Sequence, residues 1–150
     1  MSQRGGDVQS NLRISSDPIR SDLIALGSAD VIISMEPMEA LRYLPYLNKE
    51  GWIITSSKPF VNIPNYPDVD TVMADLNKVK NVIILDIEKL AQDNGIARSA
   101  NVILLGAAQK ALNIEYDKLE NAIRRVFGRK GDAVVEANLK ALAIGKEAQR

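Results

Sequence analysis

Three short and almost uninterrupted apolar runs indicate buried strands. They lie at residues 31–34, 52–55 and 82–85, and they are rich in isoleucine and valine. A run without polar alternation is typical of a parallel strand that helices cover on both faces. The sequence therefore predicts a parallel sheet with helical layers on either side.

Residues 8–14 show a different pattern. Val8, Leu12 and Ile14 alternate with the polar residues Asn11 and Arg13. An alternation with a period of two predicts a strand that is buried on one face only, at or near the edge of the sheet.

The segments between the apolar runs predict helices with recognisable ends. Glu36 and Pro37 suit the start of the first helix, because proline fits the first helical position and a carboxylate favours the positive end of the helix dipole. Asp70 is predicted to cap the second helix. The third helix is expected to follow Asp86 and to end at Gly95.

The last third of the chain is predicted to be entirely helical. One very apolar helix covers residues 101–112 and carries a patch of small residues around Gly106, which is interpreted as a packing surface. The next helix carries a stripe formed by Leu119, Ile123 and Val126 and stops at Gly128, and the last helix is capped by Asp132 and closed by Gly145. Together these patterns predict an α/β fold, with a Rossmann-like, mostly parallel sheet covered by helices and a helical C-terminal third.

Composition narrows the function more by what it lacks than by what it contains. The chain has 150 residues, the size of one domain, and its 19 basic and 19 acidic residues give a formal net charge of zero, which argues against nucleic-acid binding. It has no cysteine and no histidine, so we expect no metal site and no catalytic triad. No apolar run approaches the roughly 20 residues of a membrane span, which favours a cytoplasmic location.

Few residues suggest chemistry. Arg4, Gly5 and Gly6 form the best candidate for a cofactor-binding site, since bare backbone N–H groups and a guanidinium suit an anion, although a plain tight turn is the alternative. Glu36 and Asp86 follow strands at the edge where ligands bind in open α/β sheets, but helix capping explains both. No residue is predicted to be catalytic.

Two further features suggest contacts with other chains. The loop between residues 56 and 69 contains three prolines, and loops of this length are often functional or form interfaces. The first half of the chain also carries the aromatic residues that are candidates for interface anchors or for the core, namely Tyr43, Tyr46, Trp52, Phe60 and Tyr66.

The sequence resembles the beta subunits of indolepyruvate ferredoxin oxidoreductases, within the wider 2-oxoacid:ferredoxin oxidoreductase gamma/beta domain family. The resemblance covers nearly the whole chain. It is carried by Met1-Ser2-Gln3-Arg4-Gly5-Gly6, Leu12-Arg13-Ile14-Ser15, Ala29-Asp30-Val31-Ile32-Ile33, Glu36-Pro37-Met38-Glu39-Ala40-Leu41-Arg42, Ser99-Ala100-Asn101-Val102, Leu105-Gly106-Ala107 and Val134-Val135-Glu136-Ala137-Asn138-Leu139-Lys140-Ala141. Members of the family carry a strand, a glycine-rich turn and a helix before the first of these motifs. Residues 1–150 are thus expected to form one domain of this type that is truncated at its N-terminus.

The resemblance implies an accessory subunit of an oxidoreductase that is inactive alone. The implied reaction is the oxidative decarboxylation of aryl pyruvates to aryl-acetyl-coenzyme A, with ferredoxin as the electron acceptor. Thiamine diphosphate and the iron–sulfur clusters would belong to the large catalytic partner subunit, through which ferredoxin and coenzyme A would also act. Self-association is expected when that partner is absent.

Two other functions remain open at the level of the sequence. One is a stand-alone, non-catalytic Rossmann-like module that binds a nucleotide or another anion at the turn of Arg4, Gly5 and Gly6. The other is a purely structural interaction domain. No glycine-rich phosphate-binding motif supports the nucleotide-binding alternative.

Overall fold

The computed structural model describes residues 8–61 and 64–149, and these form an α/β fold. The strands are β1 (Ala29–Ser34), β2 (Leu47–Ser56) and β3 (Val82–Leu85). The helices are α1 (Pro37–Arg42), α2 (Val69–Leu76), α3 (Ile87–Asp93), α4 (Ala100–Ala108), α5 (Tyr116–Phe127) and α6 (Asp132–Glu147), with short 3-10 turns at Leu44–Tyr46, Ala97–Ser99 and Gly128–Lys130. The predicted fold class is confirmed, including the helical last third.

The three strands form one parallel sheet in the order β1-β2-β3. Ile32 of β1 pairs with Ile53 of β2, and Ile54 pairs with Ile83 of β3. All three strands lie where the apolar runs predicted them. Because they are parallel, their carboxyl ends meet at one edge of the sheet, and polar residues that follow the strands come together there.

Helices cover both faces of β2, which is the central strand. Ile53 packs on one face with Ala40 of α1 and with Val72 and Leu76 of α2. Ile54 packs on the other face in the larger cluster, which includes residues of α3, α4, α5 and α6. Both isoleucines are completely buried, as expected for a strand enclosed between two layers.

Two glycines allow α4 and α6 to approach each other very closely. A Cβ atom at Gly106 would overlap the backbone carbonyl of Leu142, and one at Gly145 would overlap the carbonyl of Ile103. The interpretation of the patch around Gly106 as a packing surface is confirmed. The prediction that Gly145 closes the last helix is wrong, because α6 continues to Glu147 and Gly145 serves the contact instead.

Two predicted N-terminal helix caps are also wrong, each by one or two positions in the sequence. Asp68 caps α2, since its Oδ2 accepts a hydrogen bond from the backbone N–H of Thr71 at 3.0 Å, and Asp70 lies within the first turn. At α6 the cap position is Gly131, with a φ of +97°, and Asp132 is the first helical residue. In each case a carboxylate still lies beside the positive end of the helix, which explains why the sequence pattern was ambiguous.

The end of α5 differs from the prediction as well. Gly128 retains a helical φ of −53° and begins a 3-10 turn, so the chain changes direction at Gly131. Val126 is 65% exposed and does not belong to the buried stripe that Leu119 and Ile123 form. The positive φ at Gly131 supplies the break that was expected at Gly128.

Residues 8–14 do not form the predicted strand. Val8, Leu12 and Ile14 are 61%, 70% and 74% exposed, and the segment up to β1 has no regular secondary structure. Arg13 holds it locally, because its Nη1 donates to the carbonyl of Ser21 at 2.8 Å. An alternating pattern becomes a strand only when a neighbouring strand supplies the ladder, and none in the described part of the chain lies beside this one.

Within the described residues, β1 has a neighbouring strand on one side only. Ile33 on this strand is 43% exposed, and Met35 directly after it is 52% exposed. An unpaired edge of this kind that carries apolar side chains is a template for association.

No helix in the described part of the chain has the length and apolar character needed to cross a bilayer.

We expect the isolated chain to self-associate, and Ile33→Lys to reduce that association, because a lysine on an edge strand opposes strand pairing between molecules. Light scattering after size-exclusion chromatography measures the mass. Val126→Lys, which changes an exposed apolar residue on α5 away from the edge strand, is the control. A wild-type chain that remains monomeric at every concentration would contradict the prediction.

Candidate functional site

The predicted cofactor-binding residues Arg4, Gly5 and Gly6 lie outside the described residues. Their role therefore stays a prediction. Within the described residues, no group of three or more histidine, cysteine, aspartate or glutamate side chains is placed to hold a metal ion. The best remaining candidate site is the carboxyl end of the sheet.

Hydroxyl groups lie at the last positions of two adjacent strands. Ser34 of β1 pairs with Thr55 of β2, and Ser56 of β2 pairs with Leu85 of β3. The Ser34 hydroxyl donates to the carbonyl of Glu36 at 2.6 Å, and the Ser56 hydroxyl accepts from the N–H of Lys58 at 3.1 Å. These hydroxyls shape the turns by which the chain leaves each strand.

Thr55 differs from its two serine neighbours. Its side chain is completely buried, and its hydroxyl has no hydrogen-bond partner among the described residues. A buried hydroxyl without a partner destabilises the fold by about 1–3 kcal/mol. No contact among the described residues therefore explains why a polar side chain occupies position 55 at this edge.

Glu36 uses both carboxylate oxygens. Its Oε2 accepts from the backbone N–H of Glu39 at 2.8 Å, which caps α1 and confirms the capping interpretation. Its Oε1 accepts a hydrogen bond from the hydroxyl of Tyr66, thirty residues further along the chain. This second contact ties the proline-containing loop after β2 to the carboxyl end of β1.

The surroundings of Tyr66 keep its hydroxyl protonated. Burial raises the pKa of this phenol first, and the hydrogen bond to Glu36 and the negative charge of that carboxylate raise it further. A hydrogen bond with the backbone of Met38 opposes the shift in pKa without cancelling it. The pKa of Tyr66 is higher in the folded state than in the unfolded state. The contribution of this phenol to the free energy of unfolding is therefore fully present below the unfolded pKa near 10, and it is lost only as the pH rises above that value.

Lys58 and Asp86 lie just after the carboxyl ends of β2 and β3. Asp86 caps α3, because its Oδ1 accepts from the N–H of Lys89 at 2.9 Å. The Lys58 Nζ lies 4.0 Å from Asp86 Oδ1 and 3.8 Å from Glu88 Oε2. These exposed ion pairs are weak, so the ammonium group can turn toward another anion at little cost.

The sequence indicated part of this arrangement. The capping roles of Glu36 and Asp86 followed from their positions after apolar strands, and Tyr66 was noted only as one of five aromatic residues. Its contact with Glu36 depends on how the loop folds back, which no local pattern reports. Lys58 lies two residues after the end of β2, and that position was the available signal for its place at the edge.

The comparisons with known proteins agree with one another. The family model for pyruvate ferredoxin/flavodoxin oxidoreductases matches residues 1–148. Indolepyruvate oxidoreductase subunit IorB of Archaeoglobus fulgidus is 34% identical, over 97% of this chain and 74% of its own length. The corresponding subunit of Pyrococcus horikoshii is 31% identical, over 100% of this chain and 77% of its own length.

A solved structure supports the fold. It is the 2-oxoglutarate:ferredoxin oxidoreductase from Magnetococcus marinus with 2-oxoglutarate, coenzyme A and succinyl-CoA bound. The match has a TM-score of 0.62 at 20% sequence identity, and it covers 90% of this chain and 22% of that chain. At this level of identity the likeness establishes a shared fold.

We expect Tyr66→Phe to lower the free energy of unfolding by about 1 kcal/mol, because it removes a partly buried hydrogen bond to a carboxylate and leaves the ring in place. Urea unfolding followed by the fluorescence of Trp52 measures the change. Tyr46→Phe is the matched control, since the Tyr46 hydroxyl makes no comparable contact with a carboxylate in the described part of the chain. Equal stability of Tyr66→Phe and the wild type would contradict the assignment.

Proposed function

Because the chain belongs to the pyruvate ferredoxin/flavodoxin oxidoreductase family, we propose that it is an accessory subunit of a 2-oxoacid:ferredoxin oxidoreductase that acts on indolepyruvate. The observation that carries this proposal is the match to IorB subunits over nearly the whole chain and about three quarters of each relative. The same match favours a subunit over a stand-alone nucleotide-binding module or a purely structural domain.

The proposed reaction is the oxidative decarboxylation of an aryl pyruvate to an aryl-acetyl-coenzyme A, with ferredoxin as the electron acceptor. Thiamine diphosphate and iron–sulfur clusters supply that chemistry. The chain contains no cysteine, the residue that ligates iron–sulfur clusters, so its residues do not fit such a cluster. We therefore assign the clusters to a large catalytic subunit. The family resemblance is the reason for assigning thiamine diphosphate, and the sites where ferredoxin and coenzyme A act, to the same subunit.

This chain would contribute binding and orientation, which is what a protein adds to cofactor chemistry. The carboxyl end of its sheet is the proposed working surface. There Tyr66 and Glu36 fix one loop, and Lys58 offers a cation that only weak pairs restrain. The exposed apolar residues before β1 are the proposed contact with the large subunit, and Val8, Leu12, Ile14 and Leu23 are each more than 60% exposed.

The first test is reconstitution. The purified chain alone should show no reduction of ferredoxin with indolepyruvate and coenzyme A, and the same assay should show turnover when the chain is co-purified with the large subunit of its own organism. Subunit association is measured separately by isothermal titration calorimetry. Ferredoxin reduction by the chain alone would overturn the subunit assignment, and tight binding of a nucleotide without any association would favour the stand-alone module.

The second test concerns Arg4, for which a ligand contact and a docking contact remain alternatives. If the guanidinium contacts a carboxylate or phosphate of substrate or coenzyme A, Arg4→Ala in the assembled complex should lower kcat/KM roughly tenfold or more without weakening subunit association. Arg129→Ala is the control, because Arg129 is an exposed arginine in the 3-10 turn Gly128–Lys130, outside both proposed contact surfaces. Weaker association with unchanged turnover of the assembled complex would assign the turn to the interface.

A further inference from the structure

The structure contains a groove at the opposite end of the sheet from the candidate site. It lies between the end of α1, the start of β2 and the end of α2, and its volume is about 570 Å³. This is within the range of pockets that hold small organic molecules. Its floor is apolar and is formed by Leu41, Leu44, Leu47 and Val79.

The shape of the groove depends on a glycine. Gly51 is buried, and a Cβ atom at this position would lie 2.6 Å from Cδ1 of Leu47 and 3.0 Å from the carbonyl oxygen of Ala29. The absence of a side chain at Gly51 lets the side chain of Leu47 pack against the backbone of β2 and form part of the floor. Leu44, which also belongs to the floor, remains 36% exposed, so apolar surface faces the empty space.

The rim of the groove is positive, although the whole chain has no net charge. Lys49, Lys78 and Lys80 line it, and Asp75 is the acidic residue among the lining side chains. Lys78 pairs with Asp75 at 2.7 Å and Lys80 pairs with Glu50 at 2.7 Å, but all four side chains are substantially exposed. Such exposed pairs contribute about 0–1 kcal/mol, so an incoming anion can replace them.

From the apolar floor and the lysine rim together, we infer that this groove binds a small amphiphilic carboxylic acid. The aryl or alkyl body would lie on Leu44, Leu47 and Val79, and the carboxylate would reach the ammonium groups of Lys49 and Lys80. Lys49 is the most available of the three cations, because it forms none of the ion pairs seen within the described residues around the groove. The proposal concerns a site separate from the carboxyl end of the sheet and does not depend on the proposed function.

Lysine footprinting on the full chain tests the site whether or not the chain self-associates. The chain is acetylated with a water-soluble ester in the presence of decanoate, below its micelle-forming concentration, and each lysine is quantified by mass spectrometry. Decanoate should lower the acetylation of Lys49 and Lys80 severalfold and leave Lys110 and Lys130 unchanged. Decanol and decyltrimethylammonium, which have the same alkyl chain without the negative charge, should protect much less.

Variants separate the floor from the rim. Leu44→Asp should abolish the protection by decanoate, because it places a negative charge on the apolar floor, whereas Val126→Asp on the exposed side of α5 should leave it unchanged. Lys49→Met should weaken binding by about threefold to fivefold, since it removes one partly solvated ion pair and keeps the apolar stem. Protection that is uniform over all lysines, that is equal with decyltrimethylammonium, or that survives in Leu44→Asp would overturn the inference.

Discussion

The complete burial of β2 on both faces is the constraint on which the rest of the molecule depends. Ile53 and Ile54 are adjacent in sequence and point into different cores, so two helical layers are needed to cover one strand. Burying both side chains contributes about 3–6 kcal/mol in total relative to leaving them in water. The parallel arrangement supplies these layers, because a connection between parallel strands crosses over the sheet, usually through a helix.

This arrangement separates the two ends of the sheet chemically. At the carboxyl end, the chain leaves the strands through turns that use Ser34 and Ser56, and carboxylates begin the next helices. At the amino end, the chain enters β2 through an apolar turn at Leu44–Tyr46, and a lysine-rich turn precedes β3. The polar edge and the apolar groove are thus two consequences of one topology.

Much of the fold could be predicted from local patterns, and the errors have physical causes. The three buried strands were visible because burial on both faces leaves no polar alternation. The predicted caps Asp70 and Asp132 differ from the observed caps Asp68 and Gly131, because several residues near each helix start satisfy the same local preference. Gly145 was wrongly interpreted as a helix end. Its actual role is a close contact with α4, which is distant in sequence, and a local pattern does not report such a contact.

The candidate site was less predictable than the fold. Glu36 was recognised as a cap, but the hydrogen bond from Tyr66 joins residues thirty positions apart and leaves no periodic signal. The alternation at residues 8–14 was visible, yet it did not produce a strand, because a strand also needs a neighbour. A pattern within one segment reports which face is apolar, and it does not report which partner covers that face.

A chain without cysteine or histidine can still belong to a redox family when its surfaces serve contact with a partner. Its side chains offer carboxylates, hydroxyls and ammonium groups, which bind and orient but do not carry electrons. The Tyr66–Glu36 contact is of this kind, since it fixes a loop whose residues Phe60 and Val61 are 70% and 61% exposed. Apolar side chains held in water at the polar edge of a sheet cost free energy in the isolated chain, and contact with a second protein surface recovers it. The role that we propose for this fold is therefore to hold a surface in place for a partner subunit that carries the redox chemistry.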